Sequence, residues 1–284
     1  MTLPLPVVEW CRTRGWGEIT QASPLGGGCI HSSFRLTTSD GRGLFLKTND
    51  DVPPDLFARE AEGLEALRVE GGPRLPHPFL WGTTFLLMEE LPPGAEGAGF
   101  WQRLGRELAQ VHSHEAARFG FDHDNYLGST PQPNPWTEDG FAFFAQHRLL
   151  FQSERAAAAG RLAKMDAEAV ARVVGRLADL VPRQPPSLLH GDLWSGNVVC
   201  GPQGEPCLID PACHYGWAEA ELAMTDLFGG FPPPFYQAYT EFHPLDAGWR
   251  DRFPVYNLYH LLNHLNLFGA GYLGGVQAIL RRFA

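Results

Sequence analysis

The chain has 284 residues, enough for one bilobal unit or two modest domains, and its 44% hydrophobic and 12% aromatic content can supply a core. A formal charge of −10 without a run of five like charges argues against nucleic acid or an anionic membrane as partner and suits a small neutral or cationic substrate. Five cysteines with no C-x-x-C pair or zinc spacing, no basic leader and no run of eighteen apolar residues lead us to expect a soluble, cytoplasmic protein.

In chain order, residues 5 to 14 read as a short helix. The stretch from Glu18 to Asp50 alternates and turns like a small antiparallel sheet, with "SDGRG" as a hairpin turn and three glycines, Gly26 to Gly28, between the first two strands. A helix follows, carrying Phe57, Ala61, Leu64 and Leu67 at helical spacing, with Pro54 in its first turn and Gly71-Gly72 ending it. Strands at "HPFLWG" and "TTFLLMEEL" complete a β-rich lobe. Beyond Pro92-Pro93-Gly94 the pattern turns helical, with a stripe of Trp101, Leu104, Leu108 and Val111 and further helices expected at 136–151, 166–181, 217–228 and 252–268. The only strand-like pieces there are "SLLHGDLWSGNVVC" and "EPCLIDPA". The expectation is an α+β, bilobal fold: a nucleotide-binding lobe over residues 1–91 and a helical catalytic and substrate-binding lobe over 92–284.

The polar residues that interrupt "LLHGDLWSGNVV" carry the chemistry. Asp192 and Asn197 are five apart, and Asp210 ends the apolar strand "CLID". Two carboxylates and an amide at strand ends are hard oxygen donors, the set that Mg²⁺ takes alongside phosphate oxygens. Phosphoryl transfer needs positioning and charge neutralisation, so Asp192 reads as the base and Asn197 and Asp210 as metal ligands. The spacing resembles the kinase catalytic loop H-x-D-x-x-x-x-N, with "IDP" where protein kinases carry D-F-G.

Upstream, the glycine turn could admit phosphates close to the backbone. Lys47 is one of only two lysines among 22 basic residues and sits on a strand, where a charge is disfavoured unless used. It could reach the α/β-phosphates and pair with Glu60, or with the rival Glu62; Glu60 is preferred because it lies near the inward stripe. Backbone groups of Glu89, Glu90 and Leu91 would be free to meet an adenine edge. His190 reads as a loop-packing residue, and Cys29 in the glycine turn as a candidate for oxidation.

The chain resembles the fructosamine kinase (ketosamine-3-kinase) family, kinase-like phosphotransferases related to aminoglycoside and choline kinases. The resemblance rests on "GGGCIHSSF", "LFLKTN", "FAREAEGL", "LLMEEL", "LLHGDLWSGN", "LIDPACHYGWAEAELAMTDLFGGF" and "YNLYHLLNHLNLFGAGY", spanning residues 26 to 272. It implies ATP-dependent, Mg²⁺-assisted phosphorylation of the 3-hydroxyl of a fructosamine or ribulosamine, on a small amine or a protein, followed by decay of the ester and release of the amine. By position Asp192 matches the proton acceptor, Asn197 and Asp210 the metal ligands, Lys47 and Glu60 the phosphate anchor, and Glu89 to Leu91 the adenine hinge. Trp194, Tyr215 and Trp217 could line a sugar pocket or equally close the helical lobe, and with Glu219 they are the candidate substrate residues. Two departures stand out: Ala218 replaces a usual basic residue before Glu219, and His31 replaces a usual asparagine. The generic H-G-D pattern also admits an aminoglycoside, choline or homoserine acceptor, which the "DLW" and "LFGGF" context disfavours. A nucleotide-binding scaffold without turnover is a further alternative.

Overall fold

The computed structural model describes residues 3–26 and 31–284. Its first part contains helix α1 (Leu5–Thr13), strands β1 (Ile19–Leu25), β2 (Ser32–Thr38) and β3 (Gly43–Thr48), helix α2 (Leu56–Ala66), and strands β4 (Pro78–Trp81) and β5 (Phe85–Glu89). The five strands form one antiparallel sheet in the order β1-β2-β3-β5-β4. Side chains alternate between its faces, so Leu44 and Leu46 of β3 join Phe85 and Leu87 of β5 on the face that α1 covers with Val7 and Cys11. The same alternation sends Lys47, Leu86 and Met88 to the other face, where Phe57, Ala61 and Leu64 of α2 pack. β5 is apolar on both faces because both are covered, the usual composition of a strand inside a sandwich of layers.

The rest of the chain is mostly helical. It comprises α3 (Phe100–His112), a small hairpin of β6 (Asn125–Leu127) and β7 (Thr130–Gln132), and then α4 (Gly140–Phe144). A π-helical turn (Ala145–Leu150) leads to α5 (Phe151–Ala158), α6 (Lys164–Gly175) and α7 (Leu177–Leu180). Next come β8 (Ser187–Leu189), a 3-10 turn (Ser195–Asn197), β9 (Val198–Cys200), β10 (Pro206–Leu208) and β11 (His214–Gly216). Helices α8 (Ala218–Leu227), α9 (Pro233–Phe242), α10 (Trp249–Phe268) and α11 (Leu273–Phe283) end the fold. Among the described residues no helix is long and apolar enough to cross a membrane.

Several boundaries depart from the sequence expectation for visible reasons. The helix expected from residue 136 begins at Gly140, because Thr137 exchanges backbone hydrogen bonds with Phe119 and Asp139 caps the helix through the Phe141 N–H. The helix expected over 166–181 is broken after Gly175, where Arg176 leaves helical geometry. The helix expected from 54 to 70 ends at Ala66. Helix α9 was hidden by "PPP", yet two of those prolines occupy its first turn, where no intrahelical N–H bond is lost.

Candidate active site

Lys47 is 5% exposed on the inner face of β3, and its Nζ donates to Glu60 Oε1 of α2 at 2.6 Å and also to Asp210 Oδ1. Burial alone would strip the proton from a lysine, but the charges of Asp210 and Glu60 outweigh it and raise the Lys47 pKa. The choice between the two glutamates is thus resolved in geometry: Glu62 instead pairs with Arg59 and His123. His31 packs its ring 5.2 Å from Phe57. Burial, then the Lys47 charge, bring its pKa down to about 4, so it is neutral beside that ammonium.

The loop after β8 is fastened on several sides. His190 is buried, with Nε2 2.9 Å from the carbonyl of Ile209, so that nitrogen carries the proton and Nδ1 accepts from the Asp192 N–H at 3.3 Å. Gly191 adopts φ +85°, and a Cβ there would lie 2.0 Å from the Ala212 carbonyl oxygen, a contact only glycine permits. Ala212 N–H in turn donates to the His190 carbonyl, and Ile209 N–H to that of Asn197. These bonds hold the Asp192 loop against the segment that carries Asp210. Asp210 itself has φ +58°, the one positive value outside glycine among the described residues, a geometry that costs about 1–3 kcal/mol and is kept only where the surroundings impose it.

Asn197 donates Nδ2 to the Asp192 carbonyl at 2.8 Å and to Asp192 Oδ2 at 3.2 Å, which leaves its Oδ1 as an acceptor. Burial, followed by the Asp210 charge, pushes the Asp192 carboxyl up to about 7, against the pull of the Asn197 amide. No group of three or more His, Cys, Asp or Glu side chains among the described residues forms a metal cage. The available donors are the Asn197 amide oxygen and the Asp210 carboxylate, and this sparse, all-oxygen set fits Mg²⁺, which retains waters and substrate phosphates.

The other predicted residues divide. Gly26 is exposed just past β1, whereas Gly27, Gly28 and Cys29 lie outside the described residues. Of the expected adenine hinge, the Glu89 N–H is already taken by the His77 carbonyl, and its carboxylate holds Arg74. Glu90 and Leu91 follow the strand end, and the Glu90 carboxylate pairs with Arg35 at 2.8 Å. Trp194 stays exposed beside the loop. Tyr215 is paired with Leu188 across β11 and β8, its ring against Phe121 and Trp136.

Two substrate candidates belong to the core instead. Trp217 is buried among Phe119, Phe141, Phe144 and Tyr256. Glu219 is buried and receives both Arg252 Nε at 2.8 Å and Nη2 at 2.6 Å, with the Tyr256 hydroxyl at 3.0 Å. Arg252 of α10 therefore neutralises the Glu219 carboxylate. An unforeseen residue is Glu221: its carboxylate accepts from the N–H groups of His190 (3.0 Å) and Gly191 (2.6 Å) and lies 2.9 Å from His112 Nε2. Its sequence signal was an acid set in the apolar run of α8.

The chain as a whole has counterparts among known proteins. A family model described as fructosamine kinase matches residues 9–284. A protein of Synechocystis sp. named "Probable ketoamine kinase" is 42% identical over 271 residues, 93% of this chain and 90% of its own length. The chloroplastic protein-ribulosamine 3-kinase of Oryza sativa subsp. japonica is 40% identical over 288 residues, 97% of this chain and 82% of its own. Among solved structures, one from Thermobifida fusca assigned to fructosamine-3-kinase superposes with a TM-score of 0.89 at 34% identity, over 99% of this chain and 98% of that one. An aminoglycoside phosphotransferase, solved as a ternary complex with ADP and hygromycin B, shares the fold with a TM-score of 0.61 at 18% identity, over 98% of this chain and 99% of its own. A kinase-type bilobal fold, a lysine paired across to a helix glutamate and a match over nearly the whole length lead to one assignment: the chain belongs to the fructosamine kinase family.

Proposed function

We propose that this chain is an ATP-dependent ketosamine kinase that phosphorylates the 3-hydroxyl of fructosamine- or ribulosamine-type adducts and so promotes release of the amine. The observation that carries the reading is the meeting of Lys47, Glu60, Asp192, Asn197 and Asp210, from β3, α2 and the two loops around β9 and β10. In this reading Lys47 exchanges Asp210 for the α/β-phosphates of ATP while Glu60 keeps the ammonium aimed. Asn197 and Asp210 would hold Mg²⁺, which would supply charge neutralisation at the phosphate oxygens.

Asp192 orients the acceptor hydroxyl and takes its proton as O3 bonds to the γ-phosphorus and ADP leaves. Backbone groups of Glu90 and Leu91 and the glycines Gly26, Gly27 and Gly28 are the remaining nucleotide contacts proposed, and Trp194 and Tyr215 the sugar-side ones. The names of the relatives and the ADP complex of the distant neighbour support this choice of donor and acceptor. It is tested by offering ATP, Mg²⁺ and a panel of fructosamine, ribulosamine, aminoglycoside, choline and homoserine, with phosphorus NMR of the product. The expected result is an ester on O3 of a ketosamine; transfer solely to one of the other acceptors overturns it.

A further inference from the structure

Trp194, two residues beyond Asp192, keeps 36% of its surface exposed. Its indole lies over Gly196, where a Cβ would come within 2.3 Å of the ring, so the bare backbone there sets the ring's position. Phe228, just past α8, meets the indole edge-on with centroids 6.1 Å apart. The row continues: Phe228 lies 4.7 Å from His264, and His264 lies 5.4 Å from Phe268 and 5.0 Å from Tyr272. The catalytic loop, the end of α8, the end of α10 and the 3-10 turn Ala270–Tyr272 thus bring five rings together.

Phe268 is 52% exposed, while Phe228, His264 and Tyr272 are half-buried. Tyr272 seats the row on the main core, and the contiguous, partly exposed rings beyond it have the character of an apolar binding surface. None of the five carries a fixed charge. His264 Nδ1 lies 2.8 Å from the His260 carbonyl and so holds the proton, which leaves Nε2 as an acceptor. Burial lowers the His264 pKa, which keeps the ring neutral. Aromatic faces attract cations, and the net charge of −10 favours a cationic partner.

Resting on the ketosamine reading above, we propose that Trp194, Phe228, His264, Phe268 and Tyr272 form the subsite for the amine half of the substrate. The secondary ammonium meets Trp194 and Phe228, and the apolar arm of the carrier lies along Phe268 and Tyr272. The nitrogen of a ketosamine is only a few bonds from O3, and Trp194 belongs to the same loop as Asp192, two residues on. Choice among carriers is then made at this row, separately from the nucleotide machinery.

The test compares ketosamines of fructose with methylamine and with benzylamine. Wild type is expected to show a KM at least about fivefold lower for the benzyl adduct, the size of one aromatic contact. Phe268→Ala and Tyr272→Ala are each expected to bring that preference below about twofold. Trp81→Ala, which removes an exposed ring from β4, is expected to retain it. A wild-type preference near unity, or one that survives both substitutions, overturns the subsite while leaving the ketosamine reading standing. Phosphorylation of neither adduct by wild type, with turnover of another hydroxylated amine, overturns both.

Discussion

The carboxylate of Glu221 is buried between the catalytic loop and α3, and its surroundings decide its charge. Burial works to raise its pKa, but the hydrogen bond and charge of His112 and the Gly191 N–H outweigh it, so the net shift is downward. His112 Nδ1 is in turn 2.7 Å from the Tyr239 hydroxyl of α9, which extends the chain of support from the loop to the far helices. Glu221 is a positioning residue, because it touches loop backbone and not substrate. In Glu221→Gln one loop N–H faces an amide donor, a loss of about 1–3 kcal/mol. Urea unfolding should register that loss, and kcat should fall at least about tenfold while the KM for ATP stays within about twofold. An unchanged kcat would show that the loop holds its geometry without this anchor. Asp192, Asn197 and Asp210 could be read from local spacing, since they lie within nineteen positions of one another. Glu221 could not, since its partner His112 is 109 residues away in sequence.

Helix α2 sets the reach of Glu60 to Lys47, and it is clamped from the other lobe. Tyr126 donates to Asp55 at 2.7 Å, His123 meets Glu62 at 2.7 Å, and Gly63 abuts Pro211 and Cys213, the residues just after Asp210. A Cβ on Gly63 would stand 3.1 Å from the Cys213 Cβ, and valine adds two methyl groups to that contact. Gly63→Val should therefore cost about 1–3 kcal/mol of stability through overpacking and displace Glu60 from the Lys47 ammonium. We expect the KM for ATP to rise by about tenfold in steady-state kinetics. Gly175→Ala, which places a methyl in open space, serves as the control. A Gly63→Val protein with wild-type KM would mean that α2 moves freely. The helix itself was legible from Phe57, Ala61 and Leu64, whereas its clamp was not: those contacts join residues that only the finished fold makes neighbours.

Across the whole molecule the core does not stop at the change from strands to helices near residue 91. Leu64, Leu86 and Met88 share one apolar cluster with Leu104, Leu208 and Leu222, and Arg74 bridges Glu89 at the end of β5 to Glu205 of the β9–β10 turn. The sequence pattern located the change of secondary structure because periodicity is local; it was blind to packing that crosses it. The same core buries neutral histidines. Burial, then the nearby histidine His264 and Arg148, lowers the His260 pKa to about 3; burial, then Arg148, also lowers that of His214. Unfolding restores both to the ordinary value near 6.5, so the unfolded chain binds more protons below that pH. Their contribution is complete above about pH 6.5 and is lost as the pH falls toward the folded values, by up to about 1.4 kcal/mol per pH unit for each. Urea unfolding between pH 7.5 and 5 should show the decline, and His260→Phe should make it shallower; an identical slope in the variant would remove His260 from this account.

The central claim is that one carboxylate, Asp192, serves the acceptor while a separate group of side chains holds ATP. It is tested most directly by measuring ATP affinity and ketosamine turnover side by side for wild type and Asp192→Asn. The account predicts ATP binding within about threefold of wild type and turnover lower by about 10²–10⁴. Near wild-type turnover in Asp192→Asn would contradict it.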